Sequence, residues 1–317
     1  MFYSTYFTKG WHFASPFLIL QEKIDNFTAE HSFEWIMKKF VTACIIAFLC
    51  LAPVSAWAQE DGILRILAIG NSFSADAVEQ HLYDIAAAGG QKMIIGNMYI
   101  GGCSLEKHWN NAKNDKAAYK YRKIDLDGKL TVVEGFTLSR GLMDEEWDIV
   151  TFQQQSSRSG IYSTWEQFLP DLLGYVKERV PATAEMLIHQ TWAYDVTSKH
   201  KGFKNYNNDQ KVMYKAIVSA VKKAARSVKA DDVIPCGTAI QNARTTILKD
   251  SITRDGYHLH KTFGRYVAAC TWYEVIFNES VIGNSYNPEK MTPEQKEIAQ
   301  KSAHAAVRRP NKVTMIK

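Results

Sequence analysis

Two short stretches, far apart in the sequence, carry side chains that together could hydrolyse an ester. Ser72 follows an apolar run that ends at Gly70, and His258 follows Asp255 by three residues. A serine hydroxyl becomes a nucleophile when an imidazole takes its proton and a carboxylate holds that imidazole. One loop can carry both Asp255 and His258 and still let the carboxylate reach the imidazole Nδ1–H. We therefore expect Ser72, His258 and Asp255 to form a catalytic triad.

The same reaction needs hydrogen-bond donors for the oxyanion that forms during attack. The backbone N–H groups of Ser72 and Gly102 are candidates, because each follows the end of a predicted strand. A side-chain amide from Gln155, or from Gln153 as second choice, would add a third donor. Amides at the end of a core strand need hydrogen-bond partners, so the alternative is that these glutamines only bind neighbouring loops.

Three further residues are candidates for substrate binding. Trp192 and Tyr194 follow a predicted strand and could line a binding cleft, and His108 lies near the glycine turn. Single aromatic residues are more often packing residues, and a lone histidine is more often structural. Ser72 also has a plain alternative, because serine is a common helix N-cap.

Apolar runs of strand length alternate with amphipathic helical patterns over most of the chain. This alternation predicts an α/β fold, a three-layer α/β/α sandwich with a mainly parallel sheet. We expect one domain over residues 61–284, followed by a C-terminal helix and tail over residues 285–317, with the tail frayed from residue 308. The predicted strands are 63–70, 92–100, 147–152, 184–189 and 232–236, and the predicted helices include 165–180, 210–228, 239–248, 263–276 and 292–307.

One part of the pattern departs from this alternation. Residues 119–125 and 129–134 flank Asp127-Gly128, a dipeptide typical of tight hairpin turns. We interpret them as a small hairpin insertion that decorates the main sheet.

The N-terminal part has the pattern of an export signal. Lys38-Lys39 precedes the apolar segment 40–51, and Ala56-Trp57-Ala58 fits the small-x-small pattern of signal peptidase. We expect residues 37–58 to be a signal peptide cut after Ala58, and residues 1–36 to be a mis-annotated extension. The apolar segment is shorter than the about 20 residues that span a bilayer. The sequence therefore predicts a periplasmic or secreted protein with no stable membrane anchor after cleavage.

Composition narrows the possible partners. The 317 residues are 46% hydrophobic, and the net charge of +5 is spread along the chain, so nucleic-acid binding is not indicated. Cys44 and Cys50 lie in the predicted signal, which leaves Cys103, Cys236 and Cys270. An odd number of cysteines argues against a disulfide framework. We expect no cofactor, because the first turn has one glycine and no lysine, unlike a phosphate-binding loop.

The order of these blocks resembles the SGNH/GDSL hydrolase superfamily. Gly70-Asn71-Ser72 is similar to its first block, usually Gly-Asp-Ser, Gly101-Gly102 to its glycine block, and Asp255-Gly256-Tyr257-His258 to its last. The resemblance is strongest to a secreted bacterial branch with Gly-Asn-Ser-Phe and Leu-Gln-x-Gln-Ser signatures. It implies the SGNH, flavodoxin-like form of the sandwich. The chain departs from the superfamily after Phe152, where Gln153-Gln154-Gln155-Ser156 replaces Gly-x-Asn-Asp.

The resemblance also implies a function, a secreted serine esterase that acts on a small-molecule or glycan ester. Removal of acetyl groups from a carbohydrate is the expected reaction. Two alternatives stay open. The missing asparagine block would suit a non-catalytic glycan-binding protein on the same scaffold. His258, His260 and Asp255 could instead hold a metal ion, because His-x-His can place two imidazoles on one ion.

Overall fold

A computed structural model describes residues 61–317 of the chain. The predicted extension, residues 1–36, and the predicted signal peptide, residues 37–58, lie outside the described residues and stay predictions. Within residues 61–317, no helix combines the length and apolar character that crossing a bilayer requires.

Seven strands form one sheet in the order β4-β3-β2-β1-β5-β6-β7. β1 pairs in parallel with β2 on one side and β5 on the other, and β6 and β7 continue the parallel part. The sequences of β1, β5 and β6 are apolar and almost wholly buried, which fits strands covered on both faces. The strands are Ile63–Gly70 (β1), Lys92–Tyr99 (β2), Tyr119–Ile124 (β3), Leu130–Phe136 (β4), Ile149–Phe152 (β5), Glu185–His189 (β6) and Asp232–Ile234 (β7).

Ten α-helices lie on the two faces of this sheet in the described residues. α1, α2, α8, α9 and α10 pack together on one face, and α3 to α7 pack together on the other. The three-layer α/β/α sandwich expected from the sequence is confirmed. The helices are Ser72–Val78 (α1), Leu82–Ala88 (α2), Leu105–Lys113 (α3), Leu138–Leu142 (α4), Ser163–Glu166 (α5), Leu169–Lys177 (α6), Gln210–Val228 (α7), Cys236–Ala243 (α8), Phe263–Phe277 (α9) and Pro293–Arg308 (α10).

The C-terminal helix α10 explains why α9 is apolar on nearly all sides. α9 contacts α1, α2 and α8, and α10 packs along it as well as against α8. Twelve of the fifteen residues of α9 are consequently buried. A helix that is hydrophobic all round needs cover of this kind.

The hairpin widens the sheet. β3 pairs antiparallel with β2, and β4 pairs antiparallel with β3 and forms the edge of the sheet. Gly128 has a φ of +73°, which suits the predicted Asp127-Gly128 turn. The predicted hairpin insertion is confirmed, and its backbone extends the sheet by pairing with β2.

Two predicted helices are broken into shorter ones. The helical pattern after β1 divides into α1 and α2, and the Glu79 carboxylate at the break accepts from Asn97 of β2 at 2.6 Å and pairs with Arg122 of β3 at 2.6 Å. The predicted helix 165–180 divides into α5 and α6. Pro170 lies in the first turn of α6, where its missing N–H costs no intrahelical bond.

The residues after α10 are held by side chains of the α8 region. The backbone N–H of Thr314 donates to Asn242 Oδ1 at 2.6 Å, and the N–H of Ile316 donates to Thr245 Oγ1 at 3.1 Å. The expectation of a frayed tail is wrong, because its backbone finds partners on another element.

Substitution of Asn242 should test how far binding of the C-terminal tail to the α8 region stabilises the protein. Its side chain is fully buried, and its Nδ2 also donates to the Ser302 carbonyl of α10 at 3.1 Å. Asn242→Ala removes both hydrogen bonds and a fully buried side chain, so we expect the free energy of unfolding to fall by about 1–3 kcal/mol in urea denaturation. Asn110→Ala, on the partly exposed side of α3, is the matched control and should change it by less than about 0.5 kcal/mol. Equal stability of the two variants would contradict the docking.

Candidate active site

The nucleophile candidate sits where β1 turns into α1. Ser72 is the first residue of α1, and Asn71 is its N-cap, with its Oδ1 accepting from the Phe73 N–H at 3.0 Å. The N–H of a first helical residue has no acceptor within the helix, so it is available to an anion beside it. Gly70 is required at the strand end, because a Cβ there would lie 2.4 Å from Ser74 Oγ.

The structure brings the three predicted triad side chains together. Ser72 Oγ lies 2.9 Å from His258 Nε2, and His258 Nδ1 lies 2.7 Å from Asp255 Oδ2. The backbone N–H of His258 also donates to Asp255 Oδ1 at 2.8 Å. A serine hydroxyl, an imidazole and a carboxylate thus form one hydrogen-bonded chain, although 186 positions separate Ser72 from His258.

The Asp255 carboxylate is set up to stay ionised. Partial burial raises its pKa, but hydrogen bonds from the ring and backbone N–H groups of His258 outweigh that effect, and the net pKa lies below the usual aspartate value. An ionised Asp255 keeps the proton of His258 on Nδ1. His258 Nε2 is then the nitrogen that can accept the proton of Ser72 Oγ.

A buried carboxylate one turn along α1 fixes the loop that carries this pair. Asp76 is only 2% exposed, and its Oδ2 accepts from the Leu259 backbone N–H at 2.8 Å. Arg265 pairs with it at 2.6 Å, and Arg254 at 3.2 Å. Arg254 and Leu259 flank the segment that contains Asp255 and His258. Asp76 therefore ties the helix of the nucleophile to the loop of the base.

A cavity of about 170 Å³ lies over Ser72. Gly102 and Gln155 both line it. Gly102 has a φ of +61°, and Gln155 Nε2 lies 3.9 Å from the point where a Cβ on Gly102 would be. The Ser72 N–H, the Gly102 turn and the Gln155 amide thus border the same small space. The cavity is lined by Asn71, Ser72, Phe73, Gly102, Gln155, Ser156, His200, Tyr257 and His258.

Gln153, the second candidate for the oxyanion, does not line this cavity. It is 1% exposed, its Nε2 donates to Asn71 Oδ1 at 2.8 Å, and its Oε1 lies 2.7 Å from His189 Nδ1. Burial lowers the pKa of His189 to about 3, so the ring is neutral and Nδ1–H donates to Gln153. The amide of Gln153 is therefore committed to holding Asn71, and its assignment to the oxyanion is corrected.

The three residues expected to bind substrate are all fully buried. Trp192 stacks on Phe73 with ring centroids 4.3 Å apart, and its Nε1–H donates to the Tyr257 carbonyl at 2.7 Å. Tyr194 bonds to Ser156 Oγ at 2.8 Å. Trp192 and Tyr194 do not line the cavity, but each bonds to a residue that does. His108 is packed against Tyr119, and burial lowers the pKa of His108 to about 3.

The cavity is also lined by residues that were not candidates from the sequence, among them His200 and Tyr257. His200 lies in the polar loop before α7, and Tyr257 lies inside the Asp255 to His258 block. Nothing in the pattern of the long loop marks His200, because its position beside His258 arises only in the folded chain. Tyr257 could have been considered, since it stands next to the predicted base.

The two histidines of the metal alternative have other partners in the structure. Both ring nitrogens of His258 are engaged by Ser72 and Asp255, while His260 stacks on Phe263 and its Nδ1 accepts from the Thr262 N–H. Among residues 61–317, no group of three or more His, Cys, Asp or Glu side chains has the geometry to hold an ion.

The cysteines show no sign of reactive chemistry. Three cysteines could form at most one bridge, and in the structure Cys103, Cys236 and Cys270 are all free and buried. Burial raises the pKa of Cys103, beside the glycine turn, to about 12. Its thiol therefore stays protonated and weakly nucleophilic at neutral pH.

The sheet order, the layers and the position of the cavity at the carboxyl ends of the parallel strands define a three-layer α/β fold with a mainly parallel sheet. The chain belongs to the family described as "Domain of unknown function (DUF4886)", which matches residues 65–306.

Solved structures provide the other comparisons. A DUF4886 family protein from Bacteroides uniformis shares 50% identity, covering 80% of this chain and 98% of its own, with a TM-score of 0.79. A candidate SGNH hydrolase from Slackia heliotrinireducens shares 20% identity, covering 67% and 98%, with a TM-score of 0.47. The acetylxylan esterase Axe2 from Geobacillus stearothermophilus shares 10% identity, covering 72% and 97%, with a TM-score of 0.43. No curated protein matches the sequence.

Trp192 should control the reactivity of Ser72 without touching a ligand. Trp192→Phe retains the stack on Phe73 but removes the donor to the Tyr257 carbonyl, which frees the loop of His258 to shift. We expect the rate of Ser72 labelling by a fluorophosphonate to fall by roughly ten- to a hundredfold. Trp147→Phe is the matched control, since it removes a buried donor to the Gly141 carbonyl at 2.9 Å. An unchanged labelling rate in Trp192→Phe would contradict the positioning role.

Proposed function

We propose that this protein is an exported serine esterase that removes small acyl groups, acetyl above all, from a carbohydrate. The observation that carries the proposal is the hydrogen-bonded chain Ser72–His258–Asp255, with contacts of 2.9 and 2.7 Å. Such a chain lets the imidazole take the proton of the serine hydroxyl while the carboxylate holds the imidazole, which is how a catalytic triad activates its nucleophile.

The chemistry follows from which atom holds each proton. Ser72 Oγ gives its proton to His258 Nε2 and attacks the ester carbonyl, forming a tetrahedral intermediate. Collapse of the intermediate breaks the bond to the leaving oxygen, which takes the proton from His258. Water then attacks the acyl-Ser72 ester with His258 again as base, and releases the acid and free Ser72. Asp255 stays ionised throughout and stabilises the imidazolium.

The negative oxygen of the intermediate needs donors that are already in position. The N–H of Ser72 lacks an intrahelical acceptor, and the Gly102 turn and the Gln155 amide border the same cavity. Glutamine can donate the hydrogen bond that asparagine donates in the SGNH pattern. The glycan-binding alternative was based on the missing asparagine, and the location of Gln155 weakens that argument.

The size and walls of the cavity support the choice of substrate. About 170 Å³ accommodates a short acyl group, and the wall offers polar groups from Gln155, Ser156 and His200. A leaving group rich in hydroxyls suits such a wall. The predicted export signal would carry the protein to compartments where polysaccharides occur.

Ser72→Ala should abolish both covalent labelling and turnover. We expect a fluorophosphonate probe to label the wild type at Ser72, and the variant to lose hydrolysis of p-nitrophenyl acetate by roughly 10⁴-fold or more. Acetate release from an acetylated oligosaccharide should be lost in parallel. Wild-type activity should survive EDTA and should fall steeply from the acetate to the octanoate ester.

The control for this experiment is Ser74→Ala, which changes a buried serine two residues away whose hydroxyl bonds Asn97 at 3.0 Å. It should still be labelled. A wild type that is not labelled and hydrolyses no ester, but binds a glycan equally well with and without Ser72→Ala, would refute the esterase and support the binding protein.

Gln155→Ala should show whether the Gln155 amide is the third hydrogen-bond donor to the oxyanion. Loss of one such donor lowers kcat by roughly a hundredfold, with little change in KM, because the hydrogen bond is strongest in the transition state. Steady-state kinetics on p-nitrophenyl acetate measure this split. Gln167→Ala, an exposed glutamine, serves as control. A change of less than about twofold in Gln155→Ala would exclude its amide from the oxyanion site.

A further inference from the structure

A second histidine, His200, lines the cavity over Ser72 but has no part in the triad. It belongs to the loop between β6 and α7 and shares the cavity wall with Tyr257 and His258. Its ring packs between two aromatic rings, with centroids 5.0 Å from Tyr257 and 4.9 Å from Tyr194. These contacts limit how far the imidazole can turn.

The hydrogen bonding of His200 defines which ring nitrogen carries its proton. Its Nδ1 accepts from the backbone N–H of Gly202 at 3.0 Å, at the start of the 3₁₀ helix Lys201–Tyr206. Partial burial, and secondly the nearby His258, lower the pKa of His200, which favours the neutral ring. A neutral ring whose Nδ1 accepts must carry its proton on Nε2. His200 therefore has one remaining polar group, an Nε2–H donor.

The neighbours of His200 indicate which half of the substrate it meets. The leaving oxygen must lie beside His258 Nε2, because it takes its proton from that atom. The Tyr257 ring lies 4.2 Å from the His258 ring and 5.0 Å from the His200 ring, centroid to centroid. Gly102 and Gln155 are the cavity residues available to the carbonyl oxygen. His200 thus borders the space of the leaving group.

We propose that His200 Nε2–H donates a hydrogen bond to a hydroxyl or ring oxygen of the departing sugar, so that His200 selects a polyhydroxylated leaving group. This inference rests on the proposed esterase function and adds a residue to it. A p-nitrophenyl leaving group has no hydroxyl next to its ester oxygen. The contribution of His200 should therefore depend on the substrate.

Two variants of His200 distinguish the proposed hydrogen bond from Nε2–H to the sugar from the hydrogen bond that Nδ1 accepts from the Gly202 N–H. Asparagine places an acceptor at the position of Nδ1 and retains the cap on Gly202, but it lacks a donor at the position of Nε2. Glutamine reaches that outer position with an amide N–H but loses the cap. We expect His200→Asn to lower kcat/KM on an acetylated oligosaccharide by roughly three- to tenfold, and on p-nitrophenyl acetate by less than twofold. His200→Gln should recover most of the oligosaccharide activity.

The outcomes are distinct from those for the esterase itself. If the wild type turns over both esters and His200→Asn affects them equally, or if His200→Gln is the worse variant on the oligosaccharide, the inference is wrong and His200 only holds its loop. A wild type that hydrolyses p-nitrophenyl acetate but no acetylated sugar overturns the carbohydrate assignment and this inference together. A wild type with no turnover on either ester refutes the esterase.

Discussion

The buried carboxylate of Asp76 is the constraint on which the rest of the site depends. Ser72 and Asp76 are four residues apart on α1, so they lie on neighbouring turns of one helix face. An ionised group that is only 2% exposed needs charged partners, since breaking such a pair costs several kcal/mol. Asp76 meets that need with Arg254 and Arg265, and these residues bracket the loop of the base. One helix thereby sets the position of the nucleophile and of the histidine that must reach it.

The parallel core of the fold could be predicted from the sequence because buried strands read as continuous apolar runs. β1, β5 and β6 are of this kind, and the helices between them have amphipathic patterns. The features that could not be predicted depend on hydrogen bonds and ion pairs between residues distant in the sequence. The break after α1 places Glu79 against Asn97 and Arg122, and the C-terminal tail binds Asn242. Neither segment carries a local signal of these contacts.

The candidate site likewise contains some residues whose roles could be predicted from the sequence and others whose roles could not. Ser72, Asp255 and His258 could be selected from the sequence because the chemistry restricts the residue types and the fold restricts where they occur. The roles of Trp192 and Gln153 could not be assigned, because a residue after a strand has the same sequence context whether its side chain faces the cavity or the core. Gln153 and Gln155 are two positions apart, which in an extended chain puts both on one face. β5 ends at Phe152 and the 3₁₀ helix Ser156–Arg158 follows after three intervening residues, so Gln153 and Gln155 do not belong to a strand whose alternation would fix the face of each side chain.

Beneath the cavity, a directional set of hydrogen bonds fixes the turn that presents Ser72. The neutral His189 donates from Nδ1 to Gln153, which orients the Gln153 amide so that its Nε2 donates to Asn71 Oδ1. Asn71 Nδ2 must then point away, and it donates to the Cys103 carbonyl in the glycine turn at 2.9 Å. Protonated His189 could make the same bond, but its burial makes a charge there costly, and the low pKa keeps it neutral at physiological pH. Residues at or just beyond the carboxyl ends of β6, β5, β1 and β2 are thereby linked in one fixed order. The amides of Asn71 and Gln153 are therefore coupled, since both side chains are almost fully buried and Gln153 Nε2 donates to Asn71 Oδ1.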